Sequence, residues 1–146
     1  MPEIRDIWLH AHHVIRSGRQ IINLRLQPLR LSSAEGNVLL HLLTQGQGIV
    51  QEQLVAQLDV SKPAISRTLA SLESKQFITR QRDLKDKRAL RIWLTDKALE
   101  SGPTIEQAYN YVFNLALQDI PQDELDFFMK LFSRISKNFD IEPIKE

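Results

Sequence analysis

The chain has 146 residues, 42% of them hydrophobic and 25% charged, with a net charge of +1 and no cysteine. Those values suit one globular domain, or a domain with an appendage, and exclude a disordered or fibrous chain. The missing cysteines exclude a disulfide framework, a zinc ribbon, a thiol nucleophile and a thiol redox switch.

No apolar run nears the ~20 residues of a membrane span. The start, MPEIRDIWLH, carries early acids and lacks the apolar core of a signal peptide. A cytoplasmic protein with no membrane partner is expected. The near-neutral net charge hides an asymmetry. Residues 61–91 hold nine Lys/Arg against three acids, whereas the rest holds ten against fifteen. A basic third within a mildly acidic chain is the electrostatic footprint of nucleic-acid binding, although solvated surfaces also carry basic stretches.

Residues 4–26 read as a long helix. Ile4, Ile7, Trp8, Ala11, Val14, Ile15, Gly18, Ile21 and Ile22 form a stripe at near-heptad spacing, and Pro28 ends it. Ser32-Ser33-Ala34-Glu35 has the form of a capping box opening a second helix, with Val38, Leu39, Leu42 and Leu43 on its inner face. Gly46 and Gly48 stop that helix. A short third helix spans about 51–58. Asp59-Val60-Ser61 is a tight turn, and Ser61 caps a fourth helix with Pro63 in its first turn. That helix runs to about Lys75. Residues 77–95 read as a hairpin, with Leu90, Ile92 and Leu94 on one face, Arg91, Trp93 and Thr95 on the other, and a loop from Asp83 to Arg88. Thr95 caps a helix from about Asp96 to Asp119, which Gly102-Pro103 should kink or divide. Pro121 starts a last helix whose stripe is Leu125, Phe128, Leu131, Phe132, Ile135 and Phe139.

The informative unit is helix, tight turn, helix, hairpin. Two short helices joined by three or four residues fit a helix-turn-helix, with an ordinary helical hairpin as the alternative. Leu54, Leu58, Val60, Ile65 and Leu69 would hold the angle. The outer face of the second helix then shows Ser61, Lys62, Ala64, Ser66, Arg67, Ala70 and Ser71. These are small or polar, with one long donor, Arg67, able to grip guanine or phosphate. An ordinary solvated helix face usually carries acid–base pairs, and here no acid precedes Glu73. A basic hairpin behind such a helix is a wing, bringing Arg80, Arg82, Lys85, Lys87, Arg88 and Arg91 near the same face. Its tip is narrow enough for the minor groove.

The order VSKPAISRTLASLESKQFITR…DLKDKRALRIWLT resembles the MarR family of bacterial transcription regulators, especially its SlyA-like members. The most specific match is Asp86, Arg88, Ala89, Leu94 and Thr95. The pattern departs at Gln76 and Ala98, where glycine is frequent in the family. The resemblance implies a mainly α fold with a small β-hairpin wing: a winged helix-turn-helix whose N- and C-terminal helices form a dimerisation region. It divides the chain into a dimerisation helix (1–30), a DNA-binding domain (31–98) and C-terminal dimerisation helices (99–146). By position, Ser61, Lys62, Ala64, Ser66 and Arg67 would enter the major groove of double-stranded operator DNA. Arg82, Lys85, Asp86, Lys87 and Arg88 would form the wing contact, with Asp86 bracing Arg88 in the minor groove. Ile4, Ile7, Trp8 and Ala11, with Phe128, Leu131, Phe132 and Ile135, would pair the homodimer. The terminal stripes are also more apolar than so small a subunit can easily cover. Family members commonly bind small aromatic or anionic effectors, which Trp8, Trp93, Tyr109 or Tyr111 would line, although such aromatics more often serve core or interface.

Other constellations have plainer readings. His10, His12 and His13 lack the convergent partners of a metal site, so solvated or dimer-facing histidines are expected, with a metal-responsive regulator as the alternative. Asp123, Glu124 and Asp126 suit a helix start. With no phosphate loop, nucleophile elbow or acid–base pair, neither an enzyme nor a cofactor is expected. A winged helix acting as a protein-interaction module without DNA is the remaining alternative.

Overall fold

The computed structural model describes residues 3–140, which form six α-helices and one two-stranded antiparallel sheet. Two compact units are present, one reaching to Val112 and one starting at Phe113. Among the described residues, no helix is long and apolar enough to cross a membrane.

Helix α1 (Ile4–Leu26) follows its stripe over the expected span, but only Ile22 and Leu26 near its end are buried. Pro28 lies in a 3-10 turn, Gln27–Leu29, and Arg30 reverses the chain in the left-handed region. Helix α2 (Ser33–Gln45) starts with the expected capping box. The Ser32 hydroxyl accepts from the Glu35 N–H at 3.2 Å, and a Glu35 carboxylate oxygen accepts from the Ser32 N–H at 2.9 Å. Gly46, at φ 101°, ends the helix.

Helices α3 (Gln51–Leu58) and α4 (Lys62–Ser74) are joined by a turn in which Asp59 takes a left-handed conformation. The Ser61 hydroxyl caps α4 by accepting from the Ala64 N–H. Leu54, Ile65 and Leu69 are buried as expected, with Leu58 and Val60 packed partly buried against them. Strands β1 (Ile78–Arg82) and β2 (Leu90–Leu94) pair with Ile78 opposite Leu94 and Arg82 opposite Leu90.

The segment after α2 joins the edge of β2. Gly48 N–H donates to the Ile92 carbonyl at 2.7 Å, Ile92 N–H donates to Ile49, and Val50 bridges Arg91. Gly48 sits under the Trp93 ring, where a Cβ would come within 2.8 Å, and its φ is +85°. Both facts call for glycine.

Helix α5 (Asp96–Ala116) is capped by Thr95, whose hydroxyl accepts from the Ala98 N–H. It runs unbroken through Gly102-Pro103, so the expected division does not occur. Proline removes one hydrogen bond, but Ala98, Ile105, Ala108 and Tyr109 are buried on both sides of it and hold the helix. The helix ends at Ala116, short of the expected Asp119, which turns the chain at φ 61°. In the second unit, α6 (Gln122–Asn138) has no buried residue, and Phe128 and Phe132 stack with centroids 5.3 Å apart.

At the end of α4, Gln76 occupies the left-handed position, φ 67°, that glycine favours. Phe77 N–H returns to the Leu72 carbonyl at 2.9 Å, closing the helix end. The Thr95 hydroxyl donates to the Gln76 carbonyl at 2.7 Å, and Lys97 Nζ donates to the Lys75 carbonyl at 2.8 Å. These contacts hold a conformation that costs an L-residue ~1–2 kcal/mol. Gln76→Gly is therefore expected to raise the unfolding free energy by up to about 1 kcal/mol, since glycine's looser unfolded chain offsets part of the relief. Urea titration at fixed protein concentration checks this; a less stable variant would mean that the Gln76 side chain contributes packing.

Candidate nucleic-acid interface

Helix α4 is two-faced. Ile65, Leu69 and Leu72 are 0–2% exposed, whereas Ser61, Lys62, Ser66, Arg67 and Ala70 are open to solvent. Ala64 is half-buried, and the Thr68 hydroxyl donates to its carbonyl. Ser71, expected on the outer face, instead turns toward α2: its hydroxyl donates to Glu35 Oε2 at 2.8 Å. No acid interrupts the open face before Glu73, which is drawn aside by Arg80 at 3.3 Å.

The basic third of the chain divides into two groups. Lys75, Arg80 and Arg91 are committed inside the fold. Lys75 pairs with Glu35 at 2.9 Å and donates to the Arg30 carbonyl at 2.7 Å. Arg80 reaches Glu73 and Gln51. Arg91 pairs with Asp83 at 2.7 Å and donates to the Gly48 carbonyl at 2.6 Å. Arg80 and Arg91 are thus structural, not the free wing cations that their position suggested. For Arg80 the period-two rule held the signal, because it lies two residues from buried Ile78 and opposite buried Ile92. The side chains of Lys62, Arg67, Lys85 and Lys87, by contrast, make no ion pair or hydrogen bond with other described residues.

The wing loop is organised by two aspartates. Asp86 Oδ1 accepts from the Arg88 N–H at 3.1 Å and lies 3.6 Å from Arg88 Nε. The Arg88 side chain is 96% exposed, so this pair orients the guanidinium and adds little stability. Asp83 is the residue that sequence reasoning missed. Its carboxylate accepts from Arg91 Nε and from the Asp86 N–H, while its own N–H donates to Ala89. The Arg91 guanidinium, helped by the Asp86 N–H, holds the Asp83 carboxyl below its ordinary range. Arg82 Nη1 donates to the Lys87 carbonyl at 2.7 Å and closes the loop from its other side. A cleft of 430 Å³ lies between the start of α3 and the wing, with Lys62, Asp86 and Arg88 among its lining.

The family model for the MarR family matches residues 31–90, which span α2 to the start of β2. The solved transcriptional regulator PA3341 is 30% identical, with a TM-score of 0.80, over 92% of this chain and 98% of that one. The chain belongs to the MarR family. The MarR fold also aligns it with the transcriptional regulator SlyA, at a TM-score of 0.84 and 26% identity, over 92% of this chain and 94% of that one. A MarR family regulator from Listeria monocytogenes complexed with 26mer DNA has a TM-score of 0.80 at 24% identity, over 94% of this chain and 89% of that one. The departure of this MarR chain at Gln76 leaves the open face of α4 intact, because the left-handed turn forms with glutamine in place. Among the described residues no group of three or more His, Asp or Glu could hold a metal ion, and His10, His12 and His13 are exposed.

One buried acid ties this interface to the domain. Glu35, 5% exposed, accepts from the Ser32 N–H, the Ser71 hydroxyl and Lys75 Nζ. Burial alone would raise its carboxyl, but Lys75, Ser32 and Ser71 outweigh burial and hold it below the ordinary 4.5. A depressed folded pKa gives stability that is complete above the unfolded value and lost as pH falls through the folded one. Glu35→Gln is expected to cost about 1–2 kcal/mol at pH 7. That gap should close progressively below pH 4.5, where the wild-type carboxyl protonates. Urea unfolding of both proteins at neutral and acidic pH measures it, and a gap that ignores pH would contradict the charged network.

Proposed function

We propose that the protein is a cytoplasmic, homodimeric transcription regulator, a SlyA-like repressor that binds a pseudo-palindromic operator in double-stranded DNA. The observation that carries this reading is the pairing of the acid-free open face of α4 with a braced wing whose Lys85, Lys87 and Arg88 are exposed. Ser61, Lys62, Ser66 and Arg67 read base edges and phosphates in the major groove, with Ala64 allowing close approach. Arg88 enters the minor groove, where focused negative potential attracts arginine. The fold is shared with a Listeria monocytogenes regulator solved in complex with 26mer DNA, which supports DNA as the partner.

Dimerisation is supported by apolar surface left open in each unit. In α1, Ile4 is 59% and Trp8 65% exposed; in α6, Phe128 is 55% and Leu131 44%. Ile7, Ala11, Phe132 and Ile135 complete the proposed pairing surface. A twofold dimer sets its two recognition helices about one helical turn apart, roughly 34 Å, to reach successive major grooves. A small aromatic or anionic effector that prefers another spacing weakens DNA binding by its differential affinity.

Arg88→Ala is expected to lower operator affinity about tenfold or more, with fold and dimer unchanged, because the side chain supports nothing else. Anisotropy titration on a duplex selected from random DNA measures this, and unchanged affinity removes Arg88 from the interface. Wild-type affinity should also fall by about 10³ or more between roughly 50 and 200 mM salt, if six or more phosphates are neutralised. A flat salt response, or a selection that returns no duplex, would favour a protein-interaction module.

A further inference from the structure

Leu84 is the most exposed large hydrophobic residue among those described, at 97%. Scattered surface leucines are ordinary and need no explanation. This one differs in two respects. First, the loop that carries it is tied on both sides. Asp83, immediately before it, is held by Arg91 Nε at 2.7 Å and by its own N–H to Ala89 at 2.9 Å. After it, Asp86 N–H donates to Asp83 Oδ2 at 3.1 Å, and Arg82 clasps the Lys87 carbonyl. The loop backbone is therefore braced on both sides of Leu84, with the isobutyl group facing solvent. Second, three exposed cations follow within four residues: Lys85, Lys87 and Arg88.

A rigid apolar tip flanked by cations is complementary to one surface in particular. The minor groove of a duplex has phosphates along both walls and apolar sugar faces between them, and proteins that enter it often do so with an apolar side chain. Resting on the DNA-binding reading above, we infer that Leu84 is a DNA contact. Its side chain packs against the sugar faces of the minor groove, while Lys85, Lys87 and Arg88 engage the adjoining phosphates and base edges. The wing thus reads DNA through two separable effects, one electrostatic and one apolar.

The two effects differ in salt dependence. Burying a leucine releases no counterions, whereas each lost phosphate contact lowers the slope of log affinity against log salt by about one. The test is anisotropy titration of wild type, Leu84→Ala and Lys87→Ala on the same selected duplex, from 50 to 200 mM salt. Leu84→Ala should weaken binding about tenfold at every salt concentration with the wild-type slope, as expected for loss of a largely buried leucine. Leu84→Met should retain most of the affinity, and Lys87→Ala should flatten the slope. Because Leu84 supports no core contact, Leu84→Ala should melt at the wild-type temperature. If wild type binds and Arg88→Ala weakens it, but Leu84→Ala binds like wild type, this inference fails alone. A Leu84→Ala loss that comes with a flattened slope also overturns it, since the residue then acts through its charged neighbours. Wild type that binds no duplex overturns the DNA reading and this inference together.

Discussion

Everything at the candidate interface depends on burying one face of α4. Ile65, Leu69 and Leu72 recur at helical spacing and are 0–2% exposed. Each contributes on the order of 1.5–3 kcal/mol by leaving water. With that face committed, the other is presented outward at a fixed angle, and the left-handed turn at Asp59 and the Ser61 cap set where it begins. The same anchoring passes onward. Phe77, directly after the closing turn at Gln76, is 1% exposed and starts the chain into β1 beside α4. The position of the wing is thereby a consequence of how the helix ends.

Electrostatics then sorts the basic residues by what lies within reach. Surface ion pairs are worth little, but a pair that is partly shielded and also bonded to backbone groups determines geometry. Glu35 draws Lys75 and Ser71 to the start of α2, so the cap of α2 and the end of α4 share one carboxylate. Asp83 draws Arg91 across to the Gly48 carbonyl, joining the wing to the segment before α3. The cations left over lie on the open face of α4 and at the wing tip. An apparently uniform basic stretch is therefore part scaffold and part open surface.

Much of this was legible from local chemistry. The span of α1, the Ser32 capping box, the Ser61 cap and the two strands follow from periodicity and capping rules, which act over three or four residues. The Asp86–Arg88 pair was expected from the family resemblance, and it forms between residues two apart. The solvent-facing set on α4 could be read from spacing, except for Ser71. That residue looks outward on a helical wheel but is claimed by an acid 36 positions away. The unbroken α5 shows the converse: a Gly-Pro signal for division was overridden by buried residues on both sides of it.

By itself, the sequence determined which segments would be helix or strand and that a basic third follows a tight turn. Those properties depend on neighbours in the chain. The tertiary structure alone decided which cations are spent, that Gly48 to Val50 add an edge to the sheet, and that Leu84 is held outward. The first two require groups distant in sequence to meet, as Arg80 meets Gln51 or Arg91 meets Gly48. A hydrogen bond or ion pair is short-ranged, so its existence turns on a fraction of an ångström that only the packed fold supplies.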